Sequence, residues 1–183
     1  NEDILTGDAC IVATGGLSYP STGATGDGYR FARKVGHEVV ETAPVLVPMN
    51  VREDYAKELQ GLSLKNVSAS IYDGKKKLFE EFGEMLFTHF GVSGPLMIGA
   101  SSVVGRALTK KELTLRIDLK PALSKEQLDQ RILRDFGQNK NKKFKNVLDG
   151  LFPAKLRPIM IERSEIAPDK PINDISREER TRL

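Results

Sequence analysis

The sequence has no tryptophan and a single cysteine, Cys10. One thiol excludes an internal disulfide, a CxxC redox pair and a cysteine-rich metal site. Only two histidines occur, His37 and His89, and neither stands at a ligand spacing from the carboxylates, so no metal centre is expected. Spacing assembles no Ser/His/Asp constellation either, which disfavours a hydrolase. No apolar run approaches the ~20 residues that span a bilayer, and no basic-then-apolar leader opens the chain. A cytoplasmic location is expected. The glycine pattern GxGxxG is also missing, as are internal repeats and low-complexity tracts.

What is present suits a globular protein. The chain has 183 residues and 39% hydrophobic content, enough for one large domain or two small ones. Its net charge of +3 is unevenly spread: residues 1–44 carry 3 basic and 6 acidic side chains, and the excess of cations lies beyond them. That excess sits in Lys75–Lys77, Lys110–Lys111 and the run from Lys140 to Lys145. Such runs read as solvated faces without a row of stacking aromatics, so no nucleic-acid partner is expected.

The stretch Asp8-Ala9-Cys10-Ile11-Val12-Ala13-Thr14-Gly15-Gly16 organises the rest. Its mostly apolar run from Ala9 to Thr14 reads as a short buried strand that ends at a glycine pair. Glycines without side chains let backbone N–H groups approach a phosphate or sugar. Thr25-Gly26-Asp27-Gly28 then opens a helix that Asp27 or Thr25 can cap, that spans about Gly28 to Val35, and that Gly36 stops. Strand, turn and helix N-terminus together suit an anion.

Glu38–Glu41 reads as extended, and the prolines at 44 and 48 suit a crossover rather than a central strand. From there to about Leu119 the pattern is mostly β. Leu62, Leu64, Val67, Ala69 and Ile71 nearly alternate, Asp73-Gly74 makes a hairpin turn, and Leu113–Leu119 alternates strictly. Between them Ser93-Gly94-Pro95 opens a helix that ends near Gly105. After Ser124 the period becomes helical: Ser124 with Gln127 is a capping box for a helix closed by Gly137. Phe144–Leu151 suggests a second helix, Pro153–Arg163 a third, and Ser176 with Glu179 announces another.

Two separated motifs carry a family resemblance. Ala13-Thr14-Gly15-Gly16 with Thr22-Gly23-Ala24-Thr25-Gly26-Asp27-Gly28-Tyr29, and Gly83-Glu84-Met85-Leu86-Phe87-Thr88-His89-Phe90-Gly91-Val92-Ser93-Gly94-Pro95, resemble the central segment of a family of bacterial NAD(P)/FAD-dependent oxidoreductases. That family includes BaiN/RdsA-type and aminoacetone-oxidase-like flavoproteins. The resemblance implies a mixed α+β chain: an edge piece of a Rossmann-like FAD-binding domain in residues 1–44, an inserted β-barrel-like part with one helix in 45–122, and a helical part in 123–183. It implies FAD as cofactor, with NADH or NADPH as a possible co-substrate, held by Ala13, Thr14, Gly15, Gly16, Thr25, Gly26, Asp27 and Gly28. Hydride or two-electron transfer to a small organic substrate is the implied reaction.

His89 is the natural acid–base candidate within the second motif, although its alternation with bulky apolar residues also suits a structural role. His37, after the helix-ending glycine, reads as structural. Because the GxGxxG opening is missing, the sequence reads as a fragment that holds FAD poorly and is inactive alone. The alternative is a basic insert acting as a binding module, with its lysine runs on an anionic partner.

Overall fold

The computed structural model describes residues 6–183, which form two compact units, one ending at Thr42 and one spanning Ala43–Leu183. Among the described residues of the first unit one α-helix forms, α1 (Asp27–Lys34), preceded by a single 3-10 turn at Pro20–Thr22. Gly36 takes a left-handed φ of 87° just beyond the helix, and His37 donates its backbone N–H to the Ala32 carbonyl. This is a glycine stop of the expected kind.

The buried strand expected over Ala9–Thr14 does not form. Those residues run without regular structure and are exposed, with Ile11 91% accessible. A strand exists only through a partner that takes its N–H and C=O groups, and among the described residues up to Thr42 there is none. Glu38–Glu41 likewise stays unpaired.

The second unit is mixed α+β. Its five strands are β1 (Met49–Asn50), β2 (Ser63–Asp73), β3 (Lys76–Phe87), β4 (Gly91–Ser93) and β5 (Thr114–Asp118). They form one curled antiparallel sheet in the order β1-β4-β3-β2-β5. A short helix, α2 (Tyr55–Glu58), precedes β2, and α3 (Pro95–Leu108) packs on one sheet face. Pro95 lies in the first turn of α3, where its missing N–H costs nothing.

The register of β2 explains its imperfect alternation. Asn66 adopts a left-handed φ of 57° at a bulge between Leu64 and Val67, so both side chains still reach the core. The hairpin turn falls on Gly74-Lys75, one residue later than expected, because Asp73 still pairs with Lys76. Val67, Ala69, Ile71, Phe79, Met85 and Phe87 face Leu96, Met97, Ala100 and Val104 of α3 in a first core.

A second core belongs to the helical part, built from α4 (Lys125–Gly137), α5 (Arg157–Ser164) and α6 (Arg177–Thr181). Both capping boxes form, Ser124 with Gln127 and Ser176 with Glu179. The helix expected over Phe144–Leu151 is instead two 3-10 turns, Phe144–Asn146 and Leu148–Gly150. Its interior bonds are of the three-residue kind, with Val147 donating to Phe144 and Leu151 to Leu148, while the flanking Phe144 and Lys145 N–H groups bond the carbonyls of Lys170 and Pro168, and Ile172 donates to Lys142. Phe144, Leu148, Ile132, Phe136 and Ile172 bury together there. Phe152 touches both cores.

Candidate functional site

In the first unit, the two glycine segments meet. The Gly26 N–H donates to the Gly16 carbonyl at 3.1 Å, which sets the turn against the start of α1. Gly26, not Asp27 or Thr25, is the N-cap of α1, in a left-handed conformation with a φ of 79° and no side-chain cap. Asp27 occupies the first helical position and pairs with Arg30 at 2.9 Å. This corrects the expected capping role: an aspartate inside the first turn answers the helix dipole without accepting the cap hydrogen bond.

At two of the glycines a Cβ would meet a side-chain end that must turn aside. A Cβ on Gly28 would lie 2.8 Å from the Thr14 hydroxyl, and one on Gly26 would lie 2.7 Å from a Leu17 methyl. Gly15 is left-handed at a φ of 72°, which strains any side chain. Thr14, Gly16, Gly26 and Gly28 therefore come together, flanked by Ala13, Gly15, Thr25 and Asp27. With the Gly26 and Tyr29 amides bonded to the carbonyls of Gly16 and Gly26, the Asp27 and Gly28 amides are the ones left at the start of α1, where a helix favours an anion.

In the second unit, His89 lies at the tip of the turn between β3 and β4. Thr88 closes that turn, its N–H donating to the Gly91 carbonyl at 2.8 Å and its hydroxyl accepting the Gly91 N–H at 3.1 Å. His89 is exposed and meets the Phe90 ring edge-on at 4.8 Å. The alternation of the preceding strand buries Phe87 and ends at Thr88, so His89 lies outside the buried set. Beyond it, the Gly94-Pro95 entry to α3 carries no side-chain cap. His37 is exposed as well.

The polar face of the sheet shows features that sequence reasoning missed. Arg116 on β5 stacks over the Tyr72 ring at 4.7 Å, and Ser70 donates to Glu80, whose other oxygen takes Lys77. Lys77 first, and then Ser70, hold the Glu80 carboxyl below the usual carboxylate range. A cleft of about 500 Å³ separates this face from Leu128, Ile132 and Phe152 of the helical part. Only the sheet register brings Tyr72 and Arg116 side by side, and nothing local in the sequence signals it. Among the described residues no cluster of His, Cys, Asp and Glu could hold a metal ion, and no helix is long and apolar enough to cross a membrane.

Residues 43–183 match the family described as the HI0933-like protein barrel and H2TH domain. The chain belongs to that family. Within it, the chain is 29% identical over 169 residues to a 3-dehydro-bile acid delta(4,6)-reductase of Clostridium scindens, covering 92% of this chain and 41% of the relative. It is 33% identical over 169 residues to a ribosomal RNA dihydrouridine synthase of Haemophilus influenzae, covering 91% of this chain and 39% of the relative. An Escherichia coli protein of the same name is 39% identical over 92 residues, half of this chain and 22% of its own length. The chain thus spans about two fifths of the length of the first two relatives. The curled sheet and several helices of residues 43–183 are consistent with a barrel and H2TH domain.

Proposed function

We propose that the whole protein is an FAD-dependent oxidoreductase that adds two hydrogens across a carbon–carbon double bond conjugated to a carbonyl. The observation that carries the reading is the cradle of Thr14, Gly16, Gly26 and Gly28 at the start of α1. Its support from kinship is that two relatives with different substrates, a delta(4,6)-reductase and a dihydrouridine synthase, carry names that denote saturation of a ring bond.

Bound FAD would supply hydride chemistry, with NADH or NADPH as the ultimate donor. The chain's own residues do the rest. Ala13 to Gly16 and Thr25 to Gly28 hold the dinucleotide phosphates through backbone N–H groups and the helix dipole. His89 is the proton donor to the substrate, being an exposed imidazole on a turn whose backbone Thr88 fixes. A small organic substrate is our first reading. The second is a base within RNA, favoured by the two relatives named for ribosomal RNA. A cytoplasmic setting suits the free, exposed Cys10.

The test is the visible spectrum of the whole protein purified without added cofactor. Oxidised-flavin bands that bleach with NADH or NADPH are expected, and a colourless folded protein that takes up no added FAD would remove the reading. His89→Asn should slow substrate-dependent flavin oxidation at least tenfold with flavin content unchanged. An unaltered rate returns His89 to a structural role.

A further inference from the structure

The three lysine runs do not fold alike. In the first two runs Lys77 and Lys111 each have a carboxylate of their own, Glu80 and Asp73, and no ion pair of Lys75, Lys76 or Lys110 is found among the described residues. In the third run Lys143 and Lys145 share one, each ammonium 3.0 Å from the same oxygen, Oδ1 of Asp169. Lys140 and Lys142 are exposed, and no ion pair of either is found among the described residues. Four cations in six residues are therefore answered by a single carboxylate.

The loop that bears them is also held rigidly. Phe144 between the two convergent lysines is fully buried. The backbone of Lys142 to Lys145 is clamped to the 168–172 segment by Phe144 to Lys170 at 2.9 Å, Lys145 to Pro168 at 3.0 Å and Ile172 to Lys142 at 3.1 Å. With Phe144 turned inward, Lys143 and Lys145 emerge on the same side of the loop, where their ammoniums reach one oxygen. Concentrated like charge costs stability by self-repulsion, and here it is fixed in place by core packing. Two ammoniums converging on one oxygen form the contact that a phosphodiester oxygen would make, and they hold the Asp169 carboxyl below the usual range.

We propose that the Lys140–Lys145 loop is a docking surface for the phosphodiester backbone of RNA, and that Asp169 is a built-in competitor occupying the Lys143/Lys145 grip when RNA is absent. The choice of RNA among polyanions rests on the second substrate reading above. The arrangement gives affinity without sequence readout, since phosphate contacts position a nucleic acid and carry no base information. It stands apart from the flavin reading: binding can fail with flavin intact, and flavin can be absent with binding intact.

The experiment measures binding of the whole protein to a fluorescently labelled single-stranded RNA of about 20 nucleotides across a salt series. Replacing all four lysines by alanine should weaken binding at least tenfold at low salt and flatten the log–log salt slope by about 2 to 3, at roughly 0.7 for each phosphate no longer neutralised. Asp169→Asn should tighten binding, because it removes the competitor. Arginine at the four positions should retain binding, which separates charge from folding. Unchanged affinity and slope in the alanine variant, or weaker binding by Asp169→Asn, overturns the proposal. So does lysine-dependent binding to phosphatidylglycerol vesicles without binding to RNA.

Discussion

At the scale of single residues, what decides the outcome is how closely backbone approaches backbone. A Cβ on Gly105, in α3, would lie 2.3 Å from the Pro44 carbonyl oxygen, a backbone atom that cannot swing aside. Gly105→Ala should therefore cost about 1–3 kcal/mol through overpacking. Gly99, in the same helix, has nothing within 4 Å of its Cβ position. Gly99→Ala should instead stabilise by roughly 0.5–1 kcal/mol from helix propensity. Urea unfolding of the two variants checks the opposite signs, and equal effects would refute the packing account. These two glycines look alike in sequence, whereas the glycines of the 13–28 segment were legible because turn and helix start follow one another locally. His89 was half legible: its motif drew attention to it, but the apolar alternation around it pointed inward while the Thr88 turn carries it out.

At the scale of elements, structure set by neighbours in sequence was readable, and structure set by distant partners was not. Both capping boxes needed only four consecutive residues, and both formed. The strand expected at Ala9–Thr14 needed a pairing partner, and the helix expected at Phe144–Leu151 forms as two 3-10 turns beside the 168–172 segment that Phe144 and Lys145 bond. Helix α6 shows how such local signals join tertiary ones. The Glu179 carboxylate takes the Lys170 ammonium at 2.6 Å and also the Ser176 N–H at 2.8 Å. Lys170, and next the Ser176 N–H, hold its pKa below the usual carboxylate value. A carboxyl whose pKa is depressed on folding contributes stability above its unfolded pKa, and that contribution fades as pH falls through the lower folded value. Glu179→Gln should therefore lower the urea midpoint at neutral pH, with the deficit shrinking below about pH 4. A deficit that persists unchanged in acid would assign the effect to shape rather than charge.

At the scale of the molecule, residues Ala43–Leu183 hold two cores with a single side chain common to both, Phe152. The mixed α+β character was legible from the change of hydrophobic period near Ser124. The shared Phe152 was not, because nothing in its own neighbourhood tells which core it serves. Phe152 is half-buried, so its truncation removes part of the packing on both sides at once, and Phe152→Ala should cost about 2–3 kcal/mol. It should also broaden the thermal transition into two steps, followed by circular dichroism for the helices and, for the sheet, by the fluorescence of Tyr72 with the other three tyrosines replaced by phenylalanine. One sharp transition in the variant would show that the cores are coupled by other means.

The strand order sets the two long strands between short ones. β2 and β3, of 11 and 12 residues, are interior, whereas the edges are β1, of two residues, and β5, of five. Unpaired N–H and C=O groups on an edge are a template for another chain. One side of β3 nevertheless lies open over most of its length, because β4 pairs with it only at Leu86 and Phe87, and it is the charged run of Lys76, Lys77, Glu80, Glu81 and Glu84 that discourages a second copy from pairing there.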